Sequence, residues 1–259
     1  MDIGIIGTGK MGESLLRGVI EEYGAGGVIA NDHDKRKLSI LQEELGFRIG
    51  TNEMIAKAQT VIIAVKPQDF PALATGMRGE GIFISIMAGV SLGRLERELH
   101  SSRVVRVMPN LCCTVKEATM AYACGKGIEN NERKIVAGLL KLFGPAIELD
   151  EDLMDPVTAL SGSGPAFVAR FVQAMTDAGI SQGLGKDEAY ILTTQVIRGT
   201  LRVLKEKGTS PNDLILSVSS KGGTTVAGLS AMDEYAFEKT IAETITRATM
   251  RSRELGKNG

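Results

Sequence analysis

Met1-Asp2-Ile3-Gly4-Ile5-Ile6-Gly7-Thr8-Gly9-Lys10-Met11-Gly12 opens the chain, and its reading decides the fold. A short apolar run, Asp2–Ile6, passes directly into a Gly-x-Gly-x-x-Gly turn. The turn leads into Met11–Tyr23, where Leu15, Leu16, Val19 and Ile20 form one helical stripe. Strand, glycine turn and helix in that order are the context in which this motif holds the pyrophosphate of a dinucleotide. The first glycine permits the turn, the second lets a phosphate approach the backbone, and the third lets the helix pack on the strand. Free N–H groups at the helix start receive the negative charge. The competing reading is a plain glycine-rich turn.

The rest of the first half repeats the alternation. Val28–Ala30, Thr60–Val65, Ile82–Ile86, Val104–Val107, Met120–Cys124 and Ile147–Leu149 are short apolar or β-branched runs. Asp34–Leu45 and Glu132–Phe143 carry helical stripes. Continuous apolar strands separated by helices predict βαβ units and a mostly parallel sheet buried on both faces. After Asp150 the strand signal stops, and Ala166–Ala178, Lys186–Lys205 and Glu234–Leu255 read as long helices. Ser210-Pro211 reads as an N-cap followed by proline at the first helical position. The expectation is an α/β fold: a Rossmann-like dinucleotide domain over 1–150, then an all-α domain over 151–259. The apolar helix faces of the second domain, at Ile191, Val196, Leu201 and Leu204, pack either on one another or on a second copy of the chain.

Composition narrows the function. With 30 Lys+Arg against 31 Asp+Glu, the net charge is −1. Such a chain has no electrostatic footprint for nucleic acid or an anionic membrane. The longest uncharged stretch, Pro156–Ala169, is 14 residues and contains two glycines and two prolines, too short for a membrane span. The N-terminus has no basic segment and reads as a first strand, not a signal peptide. Cys112, Cys113 and Cys124 form no disulfide framework, and with two histidines they offer no metal site. The expected setting is the reducing cytoplasm. His33 and His100 read as surface or loop residues.

The end of the second strand is where the adenosine ribose belongs. Asp32 lies 20 residues past Gly12, where an acidic group bonds the ribose 2′-OH and disfavours a 2′-phosphate. Lys35, Arg36 and Lys37 follow at once; they either neutralise such a phosphate or form the solvated first turn of a helix. On these residues the choice between NAD(H) and NADP(H) stays open.

Two more glycine-rich segments lie in the helical half: Ser161-Gly162-Ser163-Gly164-Pro165-Ala166-Phe167, and Ser219-Ser220-Lys221-Gly222-Gly223-Thr224-Thr225. Either they are helix-breaking turns, or, for the second, a carboxylate cradle at a helix start. Taken with Ala64-Val65-Lys66-Pro67, Ser85-Ile86-Met87-Ala88-Gly89-Val90, Val107-Met108-Pro109-Asn110 and Asp155-Pro156-Val157-Thr158-Ala159-Leu160, they make the chain resemble the pyrroline-5-carboxylate reductase family over nearly its whole length.

The resemblance implies hydride transfer from NAD(P)H to Δ1-pyrroline-5-carboxylate, giving L-proline, with NADPH slightly favoured. It implies a homodimer through the helical domain, able to assemble further, and an active site between the dinucleotide domain and the helical dimer. It places Gly7, Thr8, Gly9, Lys10 and Met11 on the pyrophosphate, and Asn31 and Asp32 beside the ribose. Asn52 falls on the adenosine side, while Ala64, Val65 and Lys66 line the nucleotide. Met87, Ala88 and Gly89 approach the nicotinamide. Ser220, Lys221, Gly222, Gly223, Thr224 and Thr225 take the substrate, Thr225 being the candidate to bond the imine nitrogen, with Glu151 near the ligand. No metal is implied.

The chain departs from the family's pattern near the site. Lys221 replaces a proline, and it is either tolerated by the loop or a contact for the substrate carboxylate. Leu111, Cys112 and Cys113 replace Thr-Pro-Ala; the cysteines read as packed thiols or as a vicinal disulfide. Met87 stands where alanine is usual, and Ser217 where some relatives have asparagine. Three other functions fit part of the pattern: a reductase for a different cyclic imine, a nucleotide sensor without turnover, and a β-hydroxyacid dehydrogenase. The last needs a lysine one turn into the long helix, where this chain has none before Arg170.

Overall fold

The run that opens the chain is buried on both faces: Ile3, Ile5 and Ile6 are at most 3% exposed. In the computed structural model, which describes residues 2–257, it is the strand β1 (Ile3–Ile6) of a single sheet. Among the described residues that sheet also contains β2 (Val28–Asn31), β3 (Arg48–Ile49), β4 (Thr60–Ile63), β5 (Ile82–Ser85), β6 (Val104–Met108), β7 (Met120–Cys124) and β8 (Ala146–Glu148). The spatial order is β3-β2-β1-β4-β5-β6-β7-β8. All neighbours are parallel except β6 and β7. The strand order therefore reverses between β1 and β4, and an open parallel sheet takes its ligand at the carboxyl ends of the strands at such a point. The sequence reading did not include β3, a two-residue strand with both residues exposed.

Helices cover both faces. One apolar core joins the sheet to Leu15, Leu16 and Val19 of α1 (Lys10–Tyr23) and to Leu38 and Leu41 of α2 (Lys35–Leu45). The other holds Ile55 of α3 (Asn52–Ile55), Phe70 of α4 (Phe70–Ala74), and Leu95 and Leu99 of α5 (Leu92–Leu99). α6 (Asn130–Leu140) returns Val136 and Leu139 to the first core.

The chain divides into two compact units, and the division is not at Asp150. The first unit runs to Pro165 and takes back the segment from Thr246 onward. The reason is packing. α7 (Met154–Val157) buries Met154 completely, in the same core as β4 and β5. Near the C-terminus, Ser252 Oγ donates to Asp155 at 2.6 Å. The change of structural class and the change of core therefore fall at different residues.

The second unit, Ala166–Ile245, is helical. It comprises most of α8 (Gly164–Ser181), then α9 (Lys186–Lys207), α10 (Pro211–Val218), α11 (Thr224–Glu234) and the first turns of α12 (Phe237–Lys257). Ser210 caps α10 by accepting from the Asp213 N–H, with Pro211 at the first position. Phe171 and Phe237 bring α8 and α12 together, ring centroids 6.4 Å apart. Among the described residues of this unit only Thr176, Ala189 and Thr193 are buried. Ile191, Val196 and Leu201 are all more than half exposed. No helix among the described residues is long and apolar enough to cross a membrane.

Candidate functional site

The glycine turn is built as the motif requires. Gly7 adopts a φ of 93°, a left-handed conformation that favours glycine. A Cβ on Gly12 would stand 2.0 Å from the Gly7 carbonyl oxygen, so α1 starts too close to the turn for any side chain there. A Cβ on Gly9 would meet nothing within 4 Å: that face of the turn is open. Gly9 is also the N-cap of α1 and supplies no capping side chain. The open face and the uncapped start of a 14-residue helix fit a phosphate group.

Thr8 is fully buried and is held from three sides. Its N–H and its hydroxyl both donate to Asp32 Oδ2, the hydroxyl at 3.0 Å. Its carbonyl accepts from Lys37 Nζ, which also pairs with Glu13 at 3.0 Å. Asp32 Oδ1 accepts from the Asp34 N–H at 2.8 Å and stands 3.0 Å from His33 Nδ1. Burial pushes the Asp32 carboxyl up, but the Thr8 and Asp34 donors and His33 outweigh it and hold it below its ordinary value. Asn31 Nδ2 donates to Asn52 Oδ1 at 2.7 Å, and Asn31 Oδ1 accepts from Lys35 Nζ at 2.6 Å.

A cleft of about 840 Å³ lies at the β1–β4 reversal. Gly7, Gly9, Asn31, Asp32, Asn52, Ala64, Val65 and Lys66, all named from the sequence, line it. His33, Lys35, Gln68, Asp69, Ala72 and Leu73 line it too. The last four belong to the short turns after Pro67, and proline at the start of a turn was the available signal. Lys10 lies elsewhere, in a hollow with Ser14, Thr114 and Lys116, while Met11 packs against the core.

Other expected residues sit outside this cleft lining. Met87 is buried in the core, Ala88 is exposed, and Gly89 has a φ of 75°. Glu151 Oε1 accepts from the Leu92 N–H at 2.7 Å and from Arg106 at 3.1 Å. Arg106 is 6% exposed, a buried cation inside an apolar strand run that the sequence reading passed over. Asn110 Nδ2 donates to both the carbonyl and the hydroxyl of Ser161 at 3.2 Å, joining two of the motifs noted in the sequence. All three cysteines are free thiols. Burial pushes the Cys113 thiol up to about 11.

In the second unit, Ser219–Thr225 connects α10 to α11. The Gly223 N–H donates to the Ser220 carbonyl at 2.9 Å, and Gly222, in the third place, has a φ of 74°. That is the pattern of a type II turn, which favours proline in its second place; Lys221 stands there, exposed. Gly223 caps α11 without a side chain, so the helix presents bare N–H groups beside the hydroxyls of Thr224 and Thr225. Such a helix start fits a carboxylate.

The chain matches known proteins along its length. Residues 151–255 match the family model described as pyrroline-5-carboxylate reductase dimerisation, and residues 2–89 that of NADP oxidoreductase, coenzyme F420-dependent. A pyrroline-5-carboxylate reductase of Methanosarcina acetivorans is 36% identical over 98% of both chains. One of Aquifex aeolicus is 34% identical over 98% of this chain and 97% of its own. A Plasmodium falciparum pyrroline carboxylate reductase crystallised with NADP superposes with a TM-score of 0.88 at 27% identity, over 99% of this chain and 98% of that one. A Coxiella burnetii pyrroline-5-carboxylate reductase does so with a TM-score of 0.91 at 26% identity, over 98% of each.

Proposed function

This chain belongs to the pyrroline-5-carboxylate reductase family, and from that premise we propose how its residues act on the substrate. It is an oxidoreductase that reduces Δ1-pyrroline-5-carboxylate to L-proline, the last step of proline synthesis, with a nicotinamide dinucleotide of the NADP type. The observation that carries the reading is the full-length 36% identity to a pyrroline-5-carboxylate reductase, in a chain whose phosphate turn is open at Gly9.

When bound, the reduced nicotinamide supplies a hydride to the imine carbon. The chain's part is to hold two partners and steady one nitrogen. Gly7, Thr8, Gly9, Lys10 and Met11 form the pyrophosphate turn; Asn31, Asp32 and Asn52 flank the adenosine; Ala64, Val65 and Lys66 line the nucleotide. Met87, Ala88 and Gly89 serve the nicotinamide half through their backbone, since the Met87 side chain is buried in the core. The carboxylate of the substrate goes to Ser220, Lys221, Gly222, Gly223 and Thr224 at the bare start of α11. The Thr225 hydroxyl bonds the ring nitrogen and, once hydride has reached the protonated imine, relays a proton from solvent to the resulting neutral amine. A protonated imine is already a good hydride acceptor, so no histidine, cysteine or carboxylate acid is required. Glu151 acts at one remove: through Arg106 and the Leu92 N–H it ties the start of α5 in place.

The exposed apolar faces of α9 support a homodimer through the helical unit, open to larger homo-oligomers. Three free thiols suit the cytoplasm. Initial rates of NADPH and NADH oxidation, with and without pyrroline-5-carboxylate, test the whole reading. Oxidation that depends on the imine is the expected result; cofactor binding without such oxidation overturns it.

A further inference from the structure

We propose that Lys35 discriminates NADPH from NADH, and that Asp32 is a positioning residue for the phosphate turn. This rests on the dinucleotide-dependent reading above.

The place of Asp32 in the sequence is that of a ribose ligand, but its bonding is not. A carboxylate offers about four lone-pair sites. Three hydrogen bonds already occupy Asp32, from the Thr8 N–H, the Thr8 hydroxyl and the Asp34 N–H, and the exposed His33 Nδ1 stands 3.0 Å from Oδ1. The residue is 7% exposed. A ribose hydroxyl would have to compete there with the donors that fix the turn and with His33. Its negative charge is also compensated locally, which weakens its repulsion of a 2′-phosphate.

Two lysines line the cleft, Lys35 and Lys66, and Lys35 is the one bonded to Asn31. Asn31 is the last residue of β2, in register with Ile6 at the end of β1. The Lys35 ammonium reaches back to the Asn31 side chain, and Asn31 in turn is bound to Asn52. All three line the cleft at the strand ends. Lys35 is exposed and can turn from a neutral amide oxygen to a phosphate dianion, the stronger acceptor. The neighbouring cations are placed otherwise. Lys37 is committed to the Thr8 carbonyl and Glu13, and Arg36 lies along a separate hollow with Ile40 and Glu44.

Calorimetric titration without imine substrate tests this on the intact protein, with NADPH, NADH, 2′,5′-ADP and 5′-AMP as probes. Lys35→Met is expected to weaken NADPH and 2′,5′-ADP about tenfold and to leave NADH and 5′-AMP within about twofold. Asp32→Asn is expected to weaken all four by a similar factor, because it loosens the turn they share. Equal losses for all four probes in Lys35→Met, or none, overturn the role of Lys35. Selective loss of NADH and 5′-AMP in Asp32→Asn overturns the role of Asp32. If Asp32→Asn does not fold, Thr8→Val removes the hydroxyl donor at nearly constant volume and must show the same unselective loss. Wild-type protein that binds none of the four overturns the dinucleotide reading itself; wild-type protein that binds all four equally overturns only the assignment to Lys35.

Discussion

Asn110 donates through its side-chain amide to both the carbonyl and the hydroxyl of Ser161, 51 residues further on. Its Oδ1 accepts from the Cys112 N–H at 3.0 Å. One side chain thus caps the Leu111–Val115 turn and ties it to the π-helical turn Thr158–Gly162, which packs against Met108 at Gly162. Asn110→Ala removes the cap and both donations, and is expected to cost about 1–3 kcal/mol of stability. Asn110→Asp keeps the cap acceptor but places an anion against the Ser161 carbonyl, and is expected to be no more stable than the alanine variant. Urea unfolding followed by circular dichroism checks both; two variants of wild-type stability would show that the joint contributes nothing.

The two glycines of the phosphate turn are expected to fail differently. Gly12→Ala places its Cβ against the Gly7 carbonyl, which cannot move without opening the turn. It is expected to destabilise the fold by about 3 kcal/mol or more. Gly9→Ala adds its Cβ into open space. It is expected to melt within about 2 °C of wild type, near the limit of a surface substitution, while losing most of its affinity for both dinucleotides. A thermal melt paired with a nucleotide titration separates the cases. Loss of affinity in neither variant would mean the turn does not hold the pyrophosphate.

How far the sequence was legible follows from the same residues. β1, β4 and β5 were readable because strands buried on both faces must be continuously apolar. β3 was not, because its two exposed residues carry no pattern. The phosphate turn was readable because glycine alone fits at Gly7 and Gly12. Spacing placed Asp32 near the ribose but says nothing of which lone pairs are already taken, and Thr8 takes two of them. Arg106 was invisible for a similar reason: a charge inside a strand is legible only with its partner, and Glu151 lies 45 residues away. Met154, in a helix, completes the core of the sheet, so the compact unit runs on to Pro165, past the change of structural class at Asp150.

Acid stability should report on Asp32. Its folded-state carboxyl is held below the ordinary value, so its ionised form is favoured by folding. That contribution is complete above the ordinary carboxylate range near 4 and is lost as the pH falls below it toward the depressed folded value. Asp32→Asn is expected to flatten the stability curve below about pH 4 relative to wild type. Urea midpoints measured from pH 3 to 7 decide the matter; parallel curves for the two proteins would assign the acid sensitivity to other carboxyls, such as Glu13, which is also held low.

Lys221 occupies the second place of a type II turn, where a proline ring already has the required φ. Lys221→Pro is expected to raise stability by about 0.4–1 kcal/mol, mainly by restricting the unfolded chain. With Lys221 among the groups that take the substrate carboxylate, the Michaelis constant for the imine is expected to rise severalfold with turnover unchanged. An unchanged constant would make Lys221 a turn residue only.

Thr225 carries the most exposed part of the chemical reading. It lies in the first turn of α11, beside helix N–H groups that no side chain caps. With the substrate carboxylate held there, as proposed above, the Thr225 hydroxyl would meet the ring nitrogen, whose positive charge is lost as hydride reaches the adjoining carbon. Thr225→Ala is therefore expected to lower kcat about 10²-fold, the usual size of a lost hydrogen-bonding or proton-transferring group. The dissociation constants of NADPH and NADH should stay within about twofold of wild type. Thr225→Ser, which keeps the hydroxyl, is expected to recover most of the rate. Equal losses in turnover and dinucleotide affinity would make Thr225 a structural residue of the α11 start. Failure of the serine variant to recover would mean that the methyl group, by packing, matters more than the oxygen.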